Sequence, residues 1–164
     1  MAKIIIFGNS GSGKSSLAKS LAFKNKLSHL DLDTIAWQKS DPPQRMPLIE
    51  SNVLINDFLS IYDHWVIEGC YSDLLEIIAQ EADEMIFLNL PVISCIENAK
   101  NRPWEPHKYE SKTAQDANLA MLITWISQYS SRTDTFSQVA HQKFFDEFQG
   151  KKTMHIKNPL INAY

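Results

Sequence analysis

Lys3-Ile4-Ile5-Ile6-Phe7-Gly8-Asn9-Ser10-Gly11-Ser12-Gly13-Lys14-Ser15-Ser16 is an apolar run that breaks into a glycine-rich turn and ends in Lys-Ser. It satisfies G-x-x-x-x-G-K-[ST] at Gly8, Gly13, Lys14 and Ser15, the spacing of a phosphate-binding P-loop. Glycines let successive backbone N–H groups turn inward around phosphate oxygens, and the helix that follows points its positive end at the same place. The context the motif requires is legible on both sides. Ile4 to Phe7 reads as a buried β-strand, and Leu17, Ala18, Leu21 and Ala22 recur at helical spacing. The loop therefore predicts a nucleoside triphosphate site formed by Gly8, Asn9, Ser10, Gly11, Ser12, Gly13, Lys14, Ser15 and Ser16. Lys14 is expected to reach the β- and γ-phosphates, and the Ser15 hydroxyl to ligate Mg²⁺, a hard ion that prefers oxygen.

Working outward, composition bounds the class. The chain has 164 residues, enough for one domain with one substantial core. With 44% hydrophobic residues, 21% charged residues and a net charge of −3, it lacks the basic excess of a nucleic-acid binder. Cys70 and Cys95 have neither metal-ligand nor CxxC spacing, which suggests two buried thiols in a reducing compartment and favours the cytoplasm. One lysine followed by a four-residue apolar run is too short for a signal peptide or a membrane span.

Leu27 to Asp33 reads as a second strand ending in two acids, Asp31 and Asp33, which alternation sends to the same side. They are placed either to face a ligand at the strand's carboxyl end or to cap the turn that follows. Residues 34–47 form a proline-punctuated loop, and a helical pattern then runs to about Tyr62. The region of about 33–62 thus reads as an insertion of the kind that holds a second substrate. His64 to Gly69 is a third strand closed by Glu68, placed to hold Mg²⁺ through water.

Ser72 to Gln80 reads as a short helix, Met85 to Leu90 as a doubly buried fourth strand, and Val92 to about Arg102 as a helix that Pro103 ends. Arg102-Pro-Trp-Glu-Pro-His-Lys-Tyr109 is dense in cations, aromatics and prolines, and the stretch of about 101–112 suits a lid. In it Arg102 would fork onto phosphate oxygens while Trp104 or Tyr109 excludes water. A long helix is expected over about Ser111–Ser131, with Leu119, Leu122, Ile123 and Ile126 in the core. Arg132 follows it, placed either to swing onto the phosphates or to satisfy the helix's carbonyl end. A last helix near Thr135–Phe148 and a strand at Thr153–Ile156 complete an alternation that means a parallel sheet with helices on both faces.

P-loop, strand-end acids, insertion, lid and late arginine in that order resemble the small P-loop kinases, the group of adenylate, gluconate and shikimate kinases, over essentially the whole chain. The resemblance implies a three-layer α/β/α P-loop NTPase fold, with a five-stranded parallel sheet in order 2-3-1-4-5. Asp31-Leu32-Asp33 looks like the D-x-D of shikimate kinases, which implies that Asp31 supports Mg²⁺ and Asp33 contacts the acceptor hydroxyl. Glu68-Gly69 is similar to the acid-glycine pair closing the third strand of nucleotide kinases. His29-Leu-Asp-Leu-Asp-x-x-x-Trp37, Trp65-Val-Ile-Glu-Gly69 and the Arg102–Tyr109 stretch resemble bacterial P-loop proteins labelled topology modulation or FlaR-related. Unlike shikimate kinases, the third strand lacks a Gly-Gly-Gly turn, and Arg45 is the insertion's one arginine. The expectation is an ATP- and Mg²⁺-dependent phosphotransferase with catalytic Lys14, Asp33, Arg102 and Arg132, acting on a small acceptor. Its alternative is a nucleotide-dependent regulator or ATPase working through a macromolecular partner.

Overall fold

A computed structural model describes residues 2–160 and 164. Five strands form one parallel sheet in the order β2-β3-β1-β4-β5: β1 Lys3–Gly8, β2 Ser28–Asp31, β3 Trp65–Gly69, β4 Glu84–Leu88 and β5 Lys151–His155. The helices are α1 Lys14–Asn25, α2 Leu48–Ile61, α3 Ser72–Ala79, α4 Val92–Lys100, α5 Lys112–Ser127 and α6 Gln138–Glu147, with a 3₁₀ turn at Leu32–Thr34. The expected strand order is the observed one.

Period-two alternation divides the core into two. Ile5 and Phe7 of β1, Trp65 and Ile67 of β3, and Met85 and Phe87 of β4 face one side, where Ile55 of α2, Leu74, Leu75 and Ile78 of α3 and Phe144 of α6 cover them. Ile4, Ile6, Val66, Ile86 and Leu88 face the other, against Leu17, Ala18 and Leu21 of α1, Cys95 and Ala99 of α4 and Ile126 of α5. Strands covered on both faces must be apolar throughout, which is why Ile4-Ile5-Ile6-Phe7 and Met85-Ile86-Phe87-Leu88 read as runs rather than as alternations. The β5 edge instead exposes Lys151 and Lys152, which discourage pairing with a further strand.

Several boundaries differ from the sequence expectation. The second strand stops at Asp31, whose carboxylate Oδ1 accepts the backbone N–H of Asp33 (2.9 Å) and caps the 3₁₀ turn. Asp33 is not extended, so alternation does not set its direction, but the turn still brings both carboxylates to Lys108 Nζ, Asp31 at 3.4 Å and Asp33 at 2.7 Å. The long helix starts one residue later, capped by the Ser111 hydroxyl (3.0 Å from Ala114 N), and ends at Ser127. Of its expected core residues only Ile126 is fully buried. Leu119, Leu122 and Ile123 are half-buried, because this helix borders a cavity instead of packing wholly on the sheet. The last helix begins only at Gln138, where the Ser137 hydroxyl accepts from Ala140 N (3.1 Å), and β5 spans Lys151–His155.

Candidate functional site

The carboxyl ends of the strands converge on a cavity of ≈530 Å³ lined by the P-loop, Asp33, Glu68 and the 101–109 loop. This is where open parallel sheets bind ligands. The P-loop curl is enforced by two glycines. Gly11 has φ +77°, and a Cβ there would sit 2.4 Å from the Cys95 carbonyl oxygen on α4. Gly13, at φ +90°, starts α1, so the helix's free N–H groups open toward the loop. Asn9 fixes the loop from the other side, its amide donating to the Ile126 carbonyl of α5 (3.2 Å). Lys14 folds back so that Nζ donates to the Asn9 carbonyl (2.7 Å).

Ser15 Oγ donates to Glu68 Oε1 at 2.7 Å, and Glu68 is only 1% exposed. The register Asp31↔Glu68 places two acids side by side at the ends of β2 and β3. His29 Nε2 lies 3.4 Å from the same Glu68 oxygen but makes no hydrogen bond to it. Burial first, then the neighbouring charges of Glu68 and Asp33, push the Asp31 carboxyl above its ordinary range, which favours a cation beside it. No three His, Cys, Asp or Glu side chains converge as a ready metal cage among the described residues. Their arrangement fits the looser P-loop pattern of one direct hydroxyl ligand with acids behind waters, and the curled loop fits phosphates.

Asp33 lines the same cavity. It accepts from the Tyr71 hydroxyl at 2.5 Å and pairs with Lys108 Nζ at 2.7 Å. Burial raises its carboxyl, but the Lys108 charge and hydrogen bond, with that of Tyr71, outweigh this and hold it below the ordinary range. Tyr71 OH in turn accepts from Trp37 Nε1 (2.8 Å), and Arg45 lies over its ring (5.0 Å) while pairing with Asp73. Arg45 is thus committed to an internal acid. Sequence reasoning missed Tyr71 and gave Lys108 little weight. The one signal was that Tyr71 follows Glu68-Gly69 and Lys108 lies in the cationic loop.

The 101–111 loop is organised. Trp104 Nε1 donates to the Tyr109 carbonyl (3.0 Å), Gln115 accepts from Glu105 N (2.9 Å), and Arg102 pairs with Glu105 (2.9 Å). Arg102 and Tyr109 line the cavity, while Trp104, 43% exposed, does not. Arg132 does not line it either. Its guanidinium stacks 3.5 Å from the centre of the Trp125 ring, with Nε 3.7 Å from Asp134, and its nitrogens are buried without a hydrogen-bond partner among the described residues. The structure therefore gathers Lys14, Ser15, Asp31, Asp33, Glu68 and Arg102 and leaves Arg132 apart. A further contribution comes from beyond β5. Asn158 donates to the Ser12 carbonyl (2.8 Å) and accepts from Asn98 (2.9 Å), placing an amide pair in the cavity lining.

Comparison with solved structures finds the same architecture. A sugar kinase from Janibacter sp. HTCC2649 aligns over 97% of this chain and 87% of its own, with a TM-score of 0.54 at 11% identity. A gluconokinase from Sinorhizobium meliloti 1021 aligns over 98% and 85%, with a TM-score of 0.55 at 12% identity. The fold is that of the small P-loop kinases. At the level of sequence, the uncharacterized protein YqaC of Bacillus subtilis (strain 168) is 26% identical over 138 residues, 78% of this chain and 72% of that protein. No protein-family profile matches the chain. Among the described residues, no helix is long and apolar enough to cross a membrane.

Proposed function

We propose that this chain is an ATP-dependent phosphotransferase that moves a γ-phosphoryl group to a hydroxyl- or phosphate-bearing small metabolite with Mg²⁺, as a single domain in which residues 33–62 help to hold the acceptor and 101–112 close over the phosphates. One observation carries the reading. A complete P-loop and a carboxylate held by a tyrosine and a lysine open into the same cavity, as donor and acceptor halves of one reaction would require. Bound ATP·Mg²⁺ would supply the transferable group and neutralise part of its charge, with Ser15 as direct ligand and Asp31 and Glu68 behind it.

The chain's own residues do the rest. The Gly8–Ser16 backbone orients phosphates, Lys14 exchanges the Asn9 carbonyl for phosphate oxygens, and Arg102 adds charge from the loop. Asp33 accepts the hydrogen bond of the incoming hydroxyl. Because phosphoryl transfer is mostly positioning and charge stabilisation, a carboxylate held below its ordinary range still serves by orienting its partner. Arg132 joins only by leaving Trp125, and its unpartnered nitrogens are what such a move would satisfy. That the fold is shared with a sugar kinase and a gluconokinase supports polyhydroxylated acids and sugars as the first acceptors to try.

The test is transfer from γ-labelled ATP into a metabolite extract, with identification of the labelled product. Lys14→Ala, whose side chain supports no core, should fold normally and lose transfer and triphosphate affinity. The loss is about 1.5–3 kcal/mol for the charge-assisted contact alone. Unchanged ATP binding and turnover in the folded variant would sink the assignment.

A further inference from the structure

The 101–111 loop reaches the acid end of β2 mainly through one side chain. Lys108 Nζ lies 2.7 Å from Asp33 Oδ2, 3.4 Å from Asp31 Oδ2 and 3.5 Å from Glu105 Oε2, and the side chain is only 18% exposed. His107 makes the loop's other approach to these acids, at 3.7 Å from Asp31. Asp31 and Glu105 are 9% and 10% exposed and Asp33 is 37% exposed, so the lysine is shielded mainly on the Asp31 and Glu105 side, and its removal would leave two largely buried carboxylates facing one another.

The same contact defines the carboxylate's orientation. Asp33 Oδ1 takes the Tyr71 hydroxyl and Oδ2 takes the ammonium, so the plane of the group is fixed from two elements, β3's exit and the loop. Glu105, the third acid on Lys108, is itself held by Arg102 and by the Gln115 side chain on α5. An unbroken set of contacts therefore runs from cavity-lining Arg102 through Glu105 and Lys108 to Asp33.

We propose that Lys108 is a positioning residue that ties the closed state of the 101–111 loop to the orientation of Asp33, so that the loop's closure and the setting of the acceptor-facing acid are one event. The role of Asp33 toward an acceptor rests on the reading under Proposed function, whereas the coupling between loop and acid rests on geometry alone. Lys108 acts through Asp33 and belongs to neither the P-loop nor the metal set.

Hydrogen exchange by mass spectrometry on the full chain tests the coupling without any ligand, comparing wild type with Lys108→Ala, Lys108→Arg, Asp33→Asn and the Asp33→Asn/Lys108→Ala double variant. The amides of Lys108 and Tyr109, both bonded to the Glu105 carbonyl, should exchange at least about ten-fold faster in either single variant. The double variant should be no faster than the faster single, because each single variant already removes the Lys108–Asp33 pair. Lys108→Arg should restore most of the protection. Wild-type protection in Lys108→Ala, multiplying effects in the double variant, or equal loss of protection in β1 would each overturn the proposal.

Transfer assays separate this from the kinase reading. Lys108→Ala should lower the turnover of acceptor phosphorylation by at least ten-fold with ATP affinity little changed, and Lys108→Arg should recover part of it. Normal turnover in Lys108→Ala would overturn the positioning role while leaving the kinase reading intact. If ATP labels no acceptor at all while the exchange coupling holds, the kinase reading falls and the coupling of loop to acid stands.

Discussion

Tyr71 shows how much one hydroxyl carries at this site. Burial, then the nearby Cys70 and Asp33, push its phenol well above the ordinary range, so it stays a donor to Asp33. Tyr71→Phe removes that bond and the acceptor for Trp37 Nε1, yet leaves the ring's edge-on packing with Phe136 (5.3 Å). A hydrogen bond to a charged group contributes about 1.5–3 kcal/mol, so acceptor affinity should drop roughly ten-fold or more. ATP affinity should stay put, because Tyr71 bonds to no P-loop residue. Titrations of both ligands decide it, and equal losses would mean that Tyr71 supports the whole site rather than Asp33. At this scale the sequence disclosed residues whose spacing is itself chemical, Lys14 and Ser15 above all. It disclosed less of those that matter through partners distant in the chain. Tyr71 meets Asp33 across 38 positions, and neither residue type announces the other. Arg132 was legible as a cation but not as the guanidinium stacked on Trp125.

Among the elements, the P-loop is gripped rather than merely turned. Gly11 abuts the α4 backbone at Cys95, Asn9 bonds to the end of α5, and Asn158 beyond β5 reaches the Ser12 carbonyl. Gly11→Ala would force a side chain into a left-handed conformation, at about 1–2 kcal/mol, and into a backbone oxygen that cannot yield cheaply. Calorimetry should show a fall in stability of at least about 2 kcal/mol, together with weakened ATP binding. Ser10→Ala, at a half-buried position on the same loop, should leave stability nearly unchanged. If Gly11→Ala melted and bound ATP like wild type, the loop would not need α4 as its template. Strands and helices were legible here because doubly covered strands must be continuously apolar and helices must repeat their apolar face. The end of β2 was not, because Asp31 spends its carboxylate on capping a turn that the alternation Leu30-Asp31-Leu32-Asp33 disguises as strand.

Across the whole molecule, the two faces of the sheet are packed with apolar side chains, and His141 is a polar residue set among them. It is fully buried, edge-on to Phe7 and Phe87, with Nε2 2.8 Å from the Cys70 carbonyl and Nδ1 2.7 Å from the Tyr129 hydroxyl. A carbonyl only accepts, so Nε2 carries the proton and Nδ1 receives the Tyr129 O–H. The ring thereby joins α6, the end of α5 and the loop leaving β3, just behind the cavity. Nothing in the sequence singled out His141 or supplied its two partners. Burial above all, with the charges of Lys14 and Arg132, pulls its pKa down to about 4. In the unfolded chain it titrates near its ordinary value of about 6.5. Above that pH both states are neutral and His141 makes no pH-dependent contribution. As pH falls from about 6.5 toward 4 the unfolded chain binds a proton that the folded chain refuses, so stability declines, by about 3 kcal/mol once both values are passed. Asp31, raised above its ordinary range, pulls the other way and is common to wild type and variant. His141→Gln, which can still donate to Cys70 and accept from Tyr129, should lose some stability at pH 7 but show a flatter decline between pH 6.5 and 4. Urea melts of both proteins across that interval measure the difference, and parallel acid limbs would mean that the histidine takes its proton without unfolding the core.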